Sequence, residues 1–176
     1  AYMSRAIINL GLKRYEEVES DLTQAIKLSP QSGFYINRAI AREELYNLRG
    51  AMEDLDMAVM LDPDNALARM NRGLLREKVG DYNRAIEDYS FVLECVPDHI
   101  RARYARAMLL SRTGDWQGAV DDLTWILKEY PDFIGGYKIR AGLYRNMGLN
   151  AQATADEMKA MDLEMFSFVG FDGNDE

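Results

Sequence analysis

GDYNRAIEDYSFVLECVP, residues 80–97, is the stretch from which the rest of the chain can be read. Its apolar residues Ala85, Ile86, Tyr89, Val92 and Leu93 fall at i, i+1, i+4, i+7 and i+8, which is one face of a 3.6-residue helix. The Gly80-Asp81 step supplies a turn with an aspartate placed to cap that helix, and Pro97 ends it. The proline recurs. Pro30, Pro63, Pro97 and Pro131 are separated by 33, 34 and 34 residues. Aligned on them, KRYEEVESDL (13–22), NLRGAMEDL (47–55), GDYNRAIEDY (80–89), GDWQGAVDDL (114–123) and GLNAQATADE (148–157) stack as one block.

A second block lies upstream in each unit: MSRAIINL (3–10), INRAIARE (36–43), MNRGLLRE (70–77), YARAMLLS (104–111) and KIRAGLYR (138–145). Each unit therefore reads as two helices. Small residues recur where the two must approach closely, at Ala6, Ala39, Gly73, Ala107 and Ala141 in the first helix and Ala51, Ala85, Ala119 and Ala153 in the second. Helical hairpins of this length cannot bury their apolar faces alone, and stacking solves that. Departures are local: Lys13 and Tyr46 replace the turn glycine, Val18 the small residue, and Met165 the fifth proline.

These columns resemble the tetratricopeptide (TPR) motif, with its 34-residue period and small-aromatic-small-Pro pattern, over residues 2 to about 165. The Asn-Arg-Ala/Gly and Gly-Asp-Tyr wording resembles arrays of bacterial origin. The resemblance implies an all-α, right-handed superhelical solenoid of about five helix-turn-helix units. The repeats are placed at about 1–31, 32–65, 66–99, 100–133 and 134–165, and 166–176 is set apart as an aromatic and acidic tail. It also implies that first helices line a concave surface and that the array is a non-catalytic module for protein–protein interaction.

Hydrophobic residues at 48% and charged residues at 28% describe a soluble folded chain. No apolar run is long enough to span a bilayer, so no membrane partner is expected, and the cytoplasm is favoured over other compartments. A net charge of −8 repels phosphate backbones and argues against nucleic acid. The single cysteine, Cys95, excludes an internal disulfide and sits in the column of Leu28, Leu61 and Leu163, where a core thiol is expected. His99, the single histidine, is read as a loop residue. One His and one Cys are too few for a zinc site or a Cys/His nucleophile, and no Gly-rich phosphate loop follows a strand, so no enzyme, metal or cofactor is expected.

An arginine precedes the small residue of every first helix: Arg5, Arg38, Arg72, Arg106 and Arg140. Every second helix carries a matching aspartate: Asp21, Asp54, Asp88, Asp122 and Asp156. An anion-binding ladder is one reading, but the guanidinium suits a partly buried bidentate pair, and structural ion pairs are the expectation.

First helices carry a further apolar stripe in i, i+4 pairs: Met3 and Ile7, Ile36 and Ile40, Met70 and Leu74, Tyr104 and Met108. The stripe either seals neighbouring first helices or stays open as a peptide groove, with Asn37 and Asn71 offering amides to a backbone. Lys138 and Gly142 interrupt it in the fifth unit, where Arg112, Lys138 and Arg145 are expected to take over. The expected partner is a peptide with apolar anchors and an acidic end. The carboxylate-clamp pattern of the family is matched at Asn71 and Arg101 but fails at Ile36, Ile40 and Ala105, so that clamp is not expected.

Residue 1 falls inside a first helix, and such an edge is expected to support end-to-end self-association or to meet a preceding repeat. Thr154 and Glu157 suit a solvent-facing last helix. Phe166, Phe168 and Phe171 are expected to fold back over that helix or to dock on a neighbour. Beside peptide binding stands the alternative of an internal scaffold or spacer of a larger multi-repeat protein.

Overall fold

The structure is a computed structural model that describes residues 2–169, with side chains described to residue 166. Among them ten α-helices follow one another and no strand occurs: α1 (Tyr2–Gly11), α2 (Tyr15–Leu28), α3 (Ser32–Glu44), α4 (Leu48–Leu61), α5 (Ala66–Lys78), α6 (Tyr82–Cys95), α7 (Ile100–Thr113), α8 (Trp116–Glu129), α9 (Ile134–Asn146) and α10 (Asn150–Val169). The chain forms two compact units, Ala1–Pro97 and Asp98–Glu176. The first holds α1–α6 and the second α7–α10.

Within each unit consecutive helices pack as antiparallel hairpins, and the small-residue columns explain how closely. Ala6, Ala39, Gly73, Ala107 and Ala141 are buried, as are Ala51, Ala85, Ala119 and Ala153. The core is a series of small clusters, each spanning three successive helices. In the first unit Ala6, Val18 and Leu22 meet Ala41 of α3, and Ala39, Ala51 and Leu55 meet Leu75 of α5. In the second, Ala107, Ala119, Val120 and Leu123 meet Leu143 of α9. In these clusters a hairpin completes its core with a residue of the next one in the same unit, the nearest-neighbour logic of a repeat fold.

Gly73 is the one glycine among the small residues of the first helices, and packing explains it. A Cβ there would stand 2.7 Å from Cε1 of Tyr89, a fully buried ring. Opposite Ala6, Ala39 and Ala107 the second helix has the slimmer Leu22, Leu55 and Leu123 at the position of Tyr89, and opposite Ala141 it has Glu157.

The turn between the helices of a hairpin requires a left-handed residue. Gly80, Gly114 and Gly148 supply it with φ of 86°, 94° and 75°. Lys13 and Tyr46 adopt the same conformation, with φ of 58° and 60°. The geometry is a Schellman ending in which the next N–H reaches back five residues: Arg14 to Asn9, Asn47 to Arg42, Asp81 to Arg76 and Leu149 to Tyr144, at 2.8–2.9 Å. Tyr46 is 87% exposed and gains little from packing. Tyr46→Gly is expected to stabilise the first unit by about 1 kcal/mol, the left-handed strain of about 1–2 kcal/mol less the ~0.4–1 kcal/mol of chain entropy that glycine adds to the unfolded state. Urea denaturation checks it, and a loss of stability would mean that the tyrosine ring holds the turn in some other way.

Four local expectations are corrected. Asp115 caps α8 by accepting from Gly118 N at 3.0 Å, but Asp81 makes no such bond because its carboxylate lies 3.4 Å from Arg84. Cys95 is exposed rather than in the core, as are Leu28 and Leu61 of its column, since the last residue of the second helix lies past the packed hairpin. His99 is more than a loop residue: its Nδ1 accepts from Ala102 N at 3.1 Å and caps α7, as Asn65 caps α5. At the C-terminal end α10 continues through position 166, so Phe166 does not fold back but stands exposed on the helix. The side chain of Phe168, and Phe171 altogether, lie outside the described residues.

Candidate functional site

Every arginine of the ladder donates from two nitrogens to the aspartate sixteen residues later, on the second helix of its own hairpin. Nε and Nη2 of Arg38 reach Asp54 at 2.9 and 2.6 Å, those of Arg72 reach Asp88 at 3.0 and 2.7 Å, and those of Arg106 reach Asp122 at 2.8 and 2.7 Å. Arg140 grips Asp156 at 2.7 Å twice, and Arg5 pairs with Asp21 in the same way. The aspartates are buried, so each carboxylate is dissolved by guanidinium rather than by water. The hydrogen bond from Arg5 holds the Asp21 carboxyl below the usual carboxylate range, and those to Asp54 and Asp156 raise Arg38 and Arg140.

In three of these arginines the remaining nitrogen is used as well. Nη1 of Arg38 reaches Thr23 Oγ1 at 3.0 Å, that of Arg72 reaches Asp56 at 2.9 Å, and that of Arg140 reaches Thr124 Oγ1 at 2.9 Å. Each acceptor stands on the preceding hairpin, two residues after that hairpin's own aspartate. A guanidinium committed on both edges, as in Arg38, Arg72 and Arg140, has no fork left for an outside anion.

Sequence reading missed the second layer of this network. Arg42 and Arg76, one turn after the ladder arginine, also donate to Asp54 and Asp88, at 3.0 and 2.7 Å. Arg69 and Arg103, three residues before it, lie over the rings of Phe91 and Trp125 at 4.3 and 4.2 Å. An arginine at the same offset in two neighbouring units, with an aromatic three residues after the aspartate, was the available signal.

The apolar stripe divides into two rows. Ile36 and Met70, expected in a peptide groove, are only 3% and 6% exposed, which corrects that part of the reading. Ile36 packs with Tyr35, Ala58, Val59 and Ala68 and so seals α3 against its neighbours. The second members of the pairs remain reachable: Ile7 is 55% exposed, and Ile40 and Leu74 are half-buried. Asn37 and Asn71 stand beside them. Each gives one amide proton to the carbonyl four residues back, Gly33 or Leu67, at 2.8 Å, and makes no other side-chain hydrogen bond among the described residues.

In the second unit Tyr104 and Met108 are half-buried. Met108 packs on the α7–α9 cluster, and Tyr104 meets Phe133 edge-on, with ring centroids 6.0 Å apart. The basic residues expected to receive an acidic end are already engaged, which corrects the second part of the reading. Lys138 pairs with Glu164, and Arg145 makes a two-pronged bridge to Glu157 at 2.9 and 2.7 Å. Both carboxylates stand on α10, the helix that packs against α9. Arg112 is exposed on the last turn of α7 and has an interaction of its own.

A family model described as tetratricopeptide repeat matches residues 1–32. Solved structures match nearly the whole chain. One described as the crystal structure of MamA protein superposes with a TM-score of 0.83 at 18% identity, covering 93% of this chain and 90% of its own. The chain shares the all-α repeat-solenoid fold, and its first 32 residues match the tetratricopeptide-repeat model. MamA MSR-1 is similar to the array with a TM-score of 0.80 and 23% identity over 94% of this chain and 96% of its own, and MamA from Desulfovibrio magneticus RS-1 with 0.80 and 18% over 93% of each. Among curated proteins none matches the sequence. At these identities the likeness speaks to the fold, an all-α repeat solenoid, and not to the activity. No helix among the described residues is long and apolar enough to cross a membrane.

Proposed function

We propose that the array holds a peptide segment of a partner protein, with the row Ile7, Ile40 and Leu74 of the first unit as its apolar contact. The observation that supports this is the division of the stripe. One row is spent on sealing the first helices, and the other, one turn along, keeps accessible apolar surface on three successive first helices. Such a row suits side chains spaced along an extended or helical peptide, and the amide oxygens of Asn37 and Asn71 can accept from its backbone.

Random peptides displayed against the immobilised chain test it. Selected sequences are expected to carry spaced branched or aromatic residues. Ile40→Asp with Leu74→Asp is expected to weaken them by roughly tenfold or more, the loss of one to two buried apolar contacts. Circular dichroism of the variant should match that of the parent. Binding that survives both aspartates in a folded protein overturns the groove.

A second reading, an internal scaffold that meets other chains through its terminal helices, is favoured by α10, where Met158, Met161, Met165 and Phe166 form an exposed apolar face. The same selection separates the two. A folded chain that enriches no peptide leaves the scaffold reading in place, whereas peptides lost with Ile40 and Leu74 remove its need.

A further inference from the structure

The second unit holds a cavity of about 420 Å³. Ile100, Arg101 and Tyr104 of α7, Ile126 of α8, and Tyr130 and Phe133 of the α8–α9 connection line it. That volume falls within the roughly 300–1,000 Å³ typical of ligand pockets. Its walls are branched aliphatic and aromatic, with the Tyr104–Phe133 pair as one side. Arg101 is the one charged residue of the lining. Unlike the ladder arginines it is exposed, with no ion pair or hydrogen bond among the described residues.

Phe133 occupies a position that local rules assign to another residue type. It is the N-cap of α9, in the column where Asn65 and His99 cap α5 and α7 through their side chains, and a phenyl ring can make no such bond. The chain also makes room for the ring. A Cβ on Gly136 would come within 2.7 Å of Phe133 Cδ1 and 2.9 Å of Leu127 Cδ2, and the residue in this column is alanine at 68 and 102. A forfeited cap and a glycine beside it, both serving one ring at the wall of an apolar cavity, are the kind of local conflict that accompanies a binding site.

We propose that this cavity is a side-chain subsite for an aromatic residue of a partner peptide whose adjacent residue carries a carboxylate, received by Arg101. The proposal rests on the reading of the array as a peptide holder but uses a different surface. An aromatic ring fills an aromatic-walled cavity with edge-to-face contacts. The uncompensated guanidinium at the cavity selects an acidic neighbour and gives it two parallel donors. The chain's own tail contains such a pair, Phe171-Asp172, which can compete.

The test titrates the full chain carrying Phe171→Ser and Asp172→Ser with the blocked synthetic peptide GSFDGS, followed by amide NMR shifts. Saturable shifts are expected at 100–104, 126–134 and nowhere in α1–α5. Replacing the peptide's Phe by Ala, or using Phe133→Asn, is expected to weaken binding about tenfold or more, the loss of one buried aromatic contact. Asn at 133 restores the capping residue type, so that variant should stay folded. Arg101→Gln is expected to weaken the Asp peptide and leave its Asn analogue unchanged. Absence of saturable shifts up to about 10 mM peptide, shifts mapped elsewhere, or equal losses for the Asp and Asn peptides with Arg101→Gln would overturn the subsite. Ile40→Asp with Leu74→Asp should leave this titration untouched, so the failure of the groove row and the failure of the subsite are told apart.

Discussion

Asp88→Ala is expected to destabilise the first unit by about 3–5 kcal/mol, the cost of leaving buried charge without its partner. Asp88 is completely buried and accepts from Arg72 at 3.0 and 2.7 Å, from Arg76 at 2.7 Å, and from Arg69 at 3.5 Å. Removing one carboxylate therefore takes the shared partner from three guanidinium groups, leaving Arg72 and Arg76 with Asp56 at 2.9 and 3.8 Å and Arg69 with the Phe91 ring. The measurement is urea denaturation, with Asp21→Ala as the internal comparison. Asp21 is equally a ladder residue, but the side chain of Arg5 is 63% exposed, so water can replace the lost partner. Asp88→Ala should cost clearly more than Asp21→Ala. Equal losses would mean that burial of the network contributes nothing beyond the pair itself.

Gly73→Ala is the second large effect, and its sign runs against helix propensity. In an exposed helix the change is favourable by roughly 0.8–1 kcal/mol. Here the methyl would meet the Tyr89 ring at 2.7 Å, and the ring is tethered by its hydroxyl, which donates to Glu77 Oε2 at 2.8 Å. Overpacking of a fixed core costs about 1–3 kcal/mol, so a net loss is expected. Tyr89→Leu in the same chain should recover it, because Ala opposite Leu is the pairing at Ala6/Leu22, Ala39/Leu55 and Ala107/Leu123. A double-mutant cycle reads the coupling directly. Additive losses would show that glycine and tyrosine are independent choices.

The residues that announced the fold did so because their constraint is local and recurs. A proline that ends a helix, a small residue where two helices touch, and an arginine sixteen residues before an aspartate each repeat in register with one hairpin, so spacing alone locates them. The groove was less legible. Ile36 and Ile40 share a helix face, but which of the two is sealed depends on how neighbouring first helices lie against each other, and that is not written in either helix. The engagement of Lys138 and Arg145 was hidden for the same reason, since both acceptors stand on another helix, Glu164 at a separation of 26 and Glu157 in a column that is apolar in the other units. Asp81 and Asp115 look alike in the alignment, and Arg84 separates them. His99 as a cap could have been found by reading down its column to Asn65, while the exposure of Cys95 follows from where the hairpin ends and leaves no mark in the composition.

The arginine ladder bears on how such a chain can change its length. Both ends of each two-pronged pair belong to the same hairpin, and the contact to the preceding hairpin asks only for an acceptor, met equally by the hydroxyls of Thr23 and Thr124 and the carboxylate of Asp56. Duplication or excision of one 34-residue segment at the DNA level would therefore carry a whole, self-neutralised ladder pair in or out, with no ladder charge orphaned at the new junction. A crossover inside a hairpin, between the arginine and its aspartate, is equally silent if it joins equivalent positions. As far as the charges of the ladder are concerned, the gene can grow or shrink by whole repeats, and the hairpin is the step size.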